Sequence, residues 1–241
     1  MEVIWSICRR DLIAAFTTPL AWLLLSCWTM LTNGMFVYTL YGVHGTAGAP
    51  VPLFVDALEL GVFFLCLLAP AVTMTSFAAE RVQGTMQLLL TAPIREHQLV
   101  IGKFLASFLV LCSLVAATLI QPLVLVFISQ VHYGHLVSGY LGLVLECAFF
   151  AALGNWISLL VDSPVAAYVL SFGAITVLLL IGLAGQDSVV HSISDALGLG
   201  SRVGAFFRGE IRLGNVAYFV CGTAACLVLA HGALCARRIH G

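Results

Sequence analysis

The stretch Ala79-Glu80-Arg81-Val82-Gln83-Gly84-Thr85-Met86-Gln87-Leu88-Leu89-Leu90-Thr91-Ala92-Pro93 decides how this chain is read. It continues into Ile94-Arg95-Glu96-His97-Gln98 and Gly102-Lys103, and it lies between two long apolar runs. The whole chain of 241 residues is 61% hydrophobic and only 9% charged, with a mean hydropathy of +1.09. A soluble domain of that length is not so apolar, so the composition indicates a polytopic membrane protein. A polar interval of this length must then lie outside the hydrocarbon. Arg81, Arg95 and Lys103 place it on the cytoplasmic side by the positive-inside rule.

The local chemistry predicts a short amphipathic helix. Gly84 breaks the helix that descends from the preceding run, and Thr85 is suited to cap the next one. Met86, Leu88, Leu89 and Leu90 supply an apolar face. Pro93 ends the helix, and Ile94 to Gln98 open the following one with Glu96 in its first turn. On these residues alone, an ordinary interfacial loop helix is an equally good reading.

The pattern Glu80-Arg81-x-x-Gly84-Thr85-x-x-Leu88-Leu89-x-Thr91-x-Pro93, followed by Gly102-Lys103, resembles the first cytoplasmic loop of type-2 ABC exporter permeases. The resemblance is closest to the gliding-motility-type subgroup, which includes a permease for maturation of nitrous-oxide reductase. In that family the loop carries a coupling helix that docks into a cleft on a separate ATPase subunit. The resemblance therefore implies an ATPase-coupling role for Glu80, Arg81, Gly84, Thr85, Met86, Leu89, Leu90 and Pro93. It also implies a second permease chain, identical or different, beside this one.

Outward from the loop, hydropathy predicts an all-α protein with six transmembrane helices. Residues 1–18 read as an amphipathic elbow helix on the cytoplasmic leaflet. Val3, Ile4, Ile7, Cys8, Leu12 and Phe16 recur at helical spacing, Trp5 anchors the interface, and Arg9, Arg10 and Asp11 mark the polar side. A cleaved signal peptide fits less well, because the apolar run after Arg10 is too long and lacks a small-residue cleavage site. The spans are predicted at 20–41, 56–78, 99–129, 136–161, 164–184 and 215–234, each long enough for a hydrocarbon core of roughly 30 Å. Residues 42–55, without Lys or Arg, form an outer loop, and Pro122 is a candidate kink in the third span.

The fourth span carries Glu146 near its middle, where a charge costs roughly 2.5–3.5 kcal/mol and must face protein or water. The expectation is that Glu146 faces a dimer interface or inner cavity and is hydrogen-bonded. Asn155, nine residues on, falls on about the opposite face. Asp162-Ser163-Pro164 forms a tight inner turn, and Asp162 departs from the basic or amide residue common there in the family. Residues 186–214 mix apolar pairs with glycines and charges, which suggests short helices dipping into the outer leaflet. Within them, Phe206-Phe207-Arg208-Gly209-Glu210-Ile211 is similar to the outer segment of the same subgroup, where an Arg-Gly pair precedes the last span.

Charge supports this topology. Arg9, Arg10, Arg81, Arg95, Lys103, Arg237 and Arg238 fall inside, and Arg202, Arg208 and Arg212 fall in the longest outer loop, where the rule is weakest. Both termini are therefore expected in the cytoplasm of a bacterium, with the spans in its inner membrane. The net charge of −1 offers no basic face for nucleic acid.

No metal set stands out. His132 and His135 sit in a short outer turn without a third ligand nearby, and read as solvated turn residues. The eight cysteines lie singly in apolar runs without a C-x-x-C pair, and read as small buried hydrophobes. No phosphate loop, H-E-x-x-H or G-x-S-x-G motif occurs. The chain is thus expected to be a non-catalytic permease that binds no cofactor, with ATP on its partner subunit. One alternative is an ATP-driven complex that moves no solute and transmits motion to a periplasmic partner or serves membrane-protein biogenesis. Another is an ATP-independent scaffold or channel, which leaves residues 80–98 without a purpose.

Overall fold

The computed structural model describes residues 2–43, 50–85, 95–128, 133–183 and 198–240. Ten helices and no strand occur among the described residues. Six stretches are long and apolar enough to cross a membrane: Pro19–Tyr38, Leu58–Val82, Glu96–Val124, Tyr133–Leu160, Pro164–Ile181 and Leu213–Ala236. The protein is an all-α, multi-pass membrane protein.

Helix α1 (Glu2–Thr17) is amphipathic, with Ile7 and Cys8 turned into the protein and Trp5 exposed. It packs on α5 (Glu96–Ala117). The approach is close because Gly102 of α5 has no side chain: a Cβ there would lie 3.0 Å from Ile7 Cβ and 3.2 Å from the Ile4 carbonyl oxygen. Pro19 opens α2 (Pro19–Val43), where its missing N–H costs nothing.

Helix α3 runs from Pro50 to Thr73. It starts inside the predicted 42–55 loop, because Pro50 and Pro52 occupy a first turn whose N–H groups have no intrahelical partner anyway. Pro70 lies inside α3, and the helix ends one turn later. A tight turn then leads to the short α4 (Ala78–Val82). Its first amides are capped from another helix: Phe77 N–H and Ala78 N–H donate to Ser158 Oγ at 3.3 and 3.0 Å.

The predicted third span is two helices, α5 and α6 (Ile120–Ile128). The break falls at Thr118-Leu119, one turn before Pro122, where the proline ring excludes a helical bond to the Thr118 carbonyl. That carbonyl accepts instead from the Tyr140 hydroxyl at 2.9 Å and from Gln121 N–H at 3.0 Å.

Helix α7 (Tyr133–Leu160) is the centre of the molecule. It touches α3, α5, α8 (Pro164–Leu183), α9 (Leu199–Phe207) and α10 (Leu213–His240). The largest core cluster surrounds it, with Trp28, Leu65, Leu111, Phe150, Phe206 and Phe219 fully buried. Helices α2, α8 and α10 instead expose leucines and valines along their lengths, as a lipid-facing surface does. Helix α9 buries Leu199, Val203, Phe206 and Phe207, and Gly209 N–H and Glu210 N–H close its C-terminus on the carbonyls of Phe206 and Ala205. This end of the bundle is opposite to the one where α1, α4, the start of α5 and the α7–α8 turn meet.

Candidate functional site

The polar loop leaves the bundle through Glu80 and Arg81, and these two neighbours are held by different partners. Glu80 Oε1 lies 2.9 Å from Lys103 Nζ and 2.9 Å from Arg10 Nη2. Lys103 Nζ also reaches Asp11 Oδ2 at 3.2 Å and donates to the Ser76 carbonyl at 2.8 Å. It sits 5.0 Å from the Phe77 ring centroid. The Lys103 side chain is 1% exposed. A lone ammonium so far from water is stable only when paired and hydrogen-bonded, and here α1, α4 and the turn between α3 and α4 each contribute to it. Two cations and two carboxylates make the cluster neutral. Burial alone would lower the Arg10 guanidinium, but Asp11 and Glu80 outweigh it and hold the group above its ordinary value.

Arg81 turns the other way, onto the C-terminal end of α7. Its two terminal nitrogens donate to the carbonyls of Leu159 at 2.9 Å and Val161 at 2.8 Å, and it pairs with the Asp162 carboxylate. A helix C-terminus presents unsatisfied carbonyls and partial negative charge, so a guanidinium fork is well matched to it. Asp162 is 80% exposed, so the carbonyl bonds contribute more than the ion pair. Helix α4 then stops. Gly84 takes a φ of 72°, and the Thr85 hydroxyl donates back to the Glu80 carbonyl at 3.1 Å. Met86, Leu88, Leu89, Leu90 and Pro93, the predicted apolar face and its stop, lie outside the described residues. The chain re-enters at Arg95, whose N–H donates to Gln98 Oε1 at 3.4 Å.

The two polar residues predicted inside the fourth span are both buried, on faces of α7 that other helices cover, whereas Val137, Leu141 and Val144 of the same helix are exposed. Asn155 Oδ1 lies 3.3 Å from the Ser107 hydroxyl, which also reaches the Lys103 carbonyl at 3.0 Å. Asn155 thus belongs to the same polar belt as the loop base. Glu146 does not. It is fully buried, and neither carboxylate oxygen has a hydrogen-bond partner among the described residues. Glu146 thus departs from the expectation of a hydrogen-bonded side chain: it is enclosed by helices of its own chain and makes no hydrogen bond among the described residues. A cavity of about 500 Å³ opens beside the loop base instead, between α1, α2, α3 and α5, lined by Arg10, Glu80, Lys103, Leu24 and Val110.

Sequence reasoning missed Asp11, Ser76 and Ser158 as partners of the loop. The signal for Asp11 was available: Lys103 is a single cation within an apolar helix and requires a carboxylate. The carbonyl and serine partners leave no such trace. The cysteines also differ from their reading. Cys8, Cys66, Cys147 and Cys226 are buried, whereas Cys27 and Cys221 are exposed and Cys112 and Cys235 half-buried, all eight being free thiols.

The family model described as ABC-2 family transporter protein matches residues 12–193, which include Glu80, Arg81, Lys103, Glu146 and Asp162. A comparison with curated proteins gives no match.

Proposed function

The chain belongs to the ABC-2 family of transporter proteins, and from that premise we propose that it is the permease subunit of an exporter powered by a separate ATPase, with residues 80–98 as the coupling contact. The observation that carries this reading is the doubly anchored loop base. Glu80 is tied to α1 and α5, and Arg81 to the end of α7. A force applied to the loop therefore reaches the peripheral helix and the central helix together. A loop that merely joined two spans would have no need of buried charges at its root.

In this reading the loop, the α7–α8 turn and both ends of the chain face the cytoplasm of a bacterium. The permease itself is non-catalytic and binds no ATP. It works as a dimer, with an identical or a different permease chain. The loop pattern and the Arg208-Gly209 segment support placement in the gliding-motility-type subgroup. The substrate is one that an apolar lining of Leu, Val, Ala and Phe accommodates.

The test is binding of ABC-type ATPase subunits from the same cell to membrane vesicles carrying this protein. Inside-out vesicles should capture the ATPase, and right-side-out vesicles should not. No capture by either would remove the ATPase-coupled reading, and capture from outside would reverse the orientation.

A further inference from the structure

Where the chain re-enters the bundle after the loop, three side chains converge: Glu96, near the end of residues 80–98, and two from the last helix. Glu96 stands in the first turn of α5, and His231 and Cys235 stand one turn apart on the same face of α10. Cys235 Sγ is 3.0 Å from Glu96 Oε2, and 3.6 Å from His231 Nδ1 or 3.9 Å from its Nε2. One ligand atom from each lies within 4.8 Å of the other two, and all three residues are half-buried.

We propose that Glu96, His231 and Cys235 form a binding site for a d¹⁰ divalent cation of the zinc class, which ties the start of α5 to the last helix. The donor set fits: an imidazole nitrogen, a thiolate and one carboxylate oxygen are the ligand types zinc takes, and three protein ligands leave the fourth position to water. Ligand atoms at the vertices of a tetrahedral zinc site are separated by about 3.5 Å, given bonds of roughly 2.0–2.3 Å. The distances around Cys235 are already close to that, and the Glu96–His231 edge, within 4.8 Å, closes by side-chain movements on the order of 1 Å. On binding, the Cys235 S–H bond breaks, a sulfur–metal bond forms, and the proton passes to water. The thiolate and the Glu96 carboxylate then neutralise the dication. The i, i+4 pair on α10 supplies two ligands from one rigid helix, and Glu96 supplies the third across the helix–helix contact. The site rests on these residues alone and stands whether or not the loop docks on an ATPase.

The experiment is a Co(II) titration of the full-length protein in detergent, after chelator treatment and dialysis. The wild-type protein should bind one equivalent per chain with a thiolate-to-cobalt charge-transfer band, and Zn(II) should displace it. Cys235→Ser should abolish the band. His231→Ala and Glu96→Gln should weaken Zn(II) binding by about 100-fold or more. Cys221→Ser, at an exposed cysteine of the same helix, should change nothing. Absence of the band in the wild type, or its survival in Cys235→Ser, would overturn the site. A reading free of substitution comes from maleimide modification of the unmutated protein. Zn(II) should slow alkylation of Cys235, identified by peptide mass, and an unchanged rate there would equally overturn the site.

Discussion

Lys103 holds a full charge almost entirely away from water, and its two carboxylate partners come from helices far apart in sequence. Lys103→Met keeps the apolar stem but leaves Asp11 and Glu80 to share Arg10 as their one cation among the described residues. The expected cost is about 3–5 kcal/mol, read as a lowered thermal midpoint in detergent. Adding Glu80→Gln to Lys103→Met should recover part of that loss, because the remaining carboxylate keeps Arg10 beside it. A single variant as stable as wild type, or a double variant less stable than the single, would contradict the buried cluster. The two intramembrane polar residues show how far the sequence reaches at this scale. Both were found because a polar side chain inside a span is conspicuous, and both are buried. Their partners were not legible. Asn155 meets Ser107 through a pairing that depends on helix rotation, and the isolation of Glu146 depends on how many helices surround α7.

Among the elements, the breaks carry the information. The apolar runs show where six spans lie, because burial in lipid demands about 20 apolar residues regardless of tertiary context. The ends shift by several residues where prolines are tolerated: Pro50 and Pro52 extend α3 into the predicted loop, and Pro122 places the break a turn earlier than itself. The contact of α1 with α5 was invisible in hydropathy and rests on the absence of a side chain at Gly102. Gly102→Val should therefore push α1 off α5 and strain the Asp11–Lys103 pair, at a cost of about 1–3 kcal/mol. Gly173→Ala is the control, since a Cβ there meets nothing within 4 Å. Thermal melts of both variants check this, and equal midpoints would refute the close docking of α1.

At the scale of the whole molecule, the end of the bundle that carries most of the basic residues is also the end with the buried charge cluster, the Arg81 fork and the Glu96–His231–Cys235 group. The apolar pattern revealed the membrane architecture and the loop between two spans, and the resemblance pointed to its use. How the loop is fixed to the bundle became visible only when α1, α4, α5 and α7 were brought together. The proposed role of residues 80–98 is to transmit the work of an ATPase to the spans. The direct measurement is capture of the ATPase, and stimulation of its ATP hydrolysis, by Leu89→Asp compared with an Asp at Ala47 in the predicted outer loop. An Asp in an apolar docking contact leaves a desolvated charge, expected to weaken binding by about 2 kcal/mol or more, some 30-fold. Leu89→Asp should insert normally but lose capture and stimulation, while Ala47→Asp should behave as wild type. Capture and stimulation unchanged in Leu89→Asp would contradict that role.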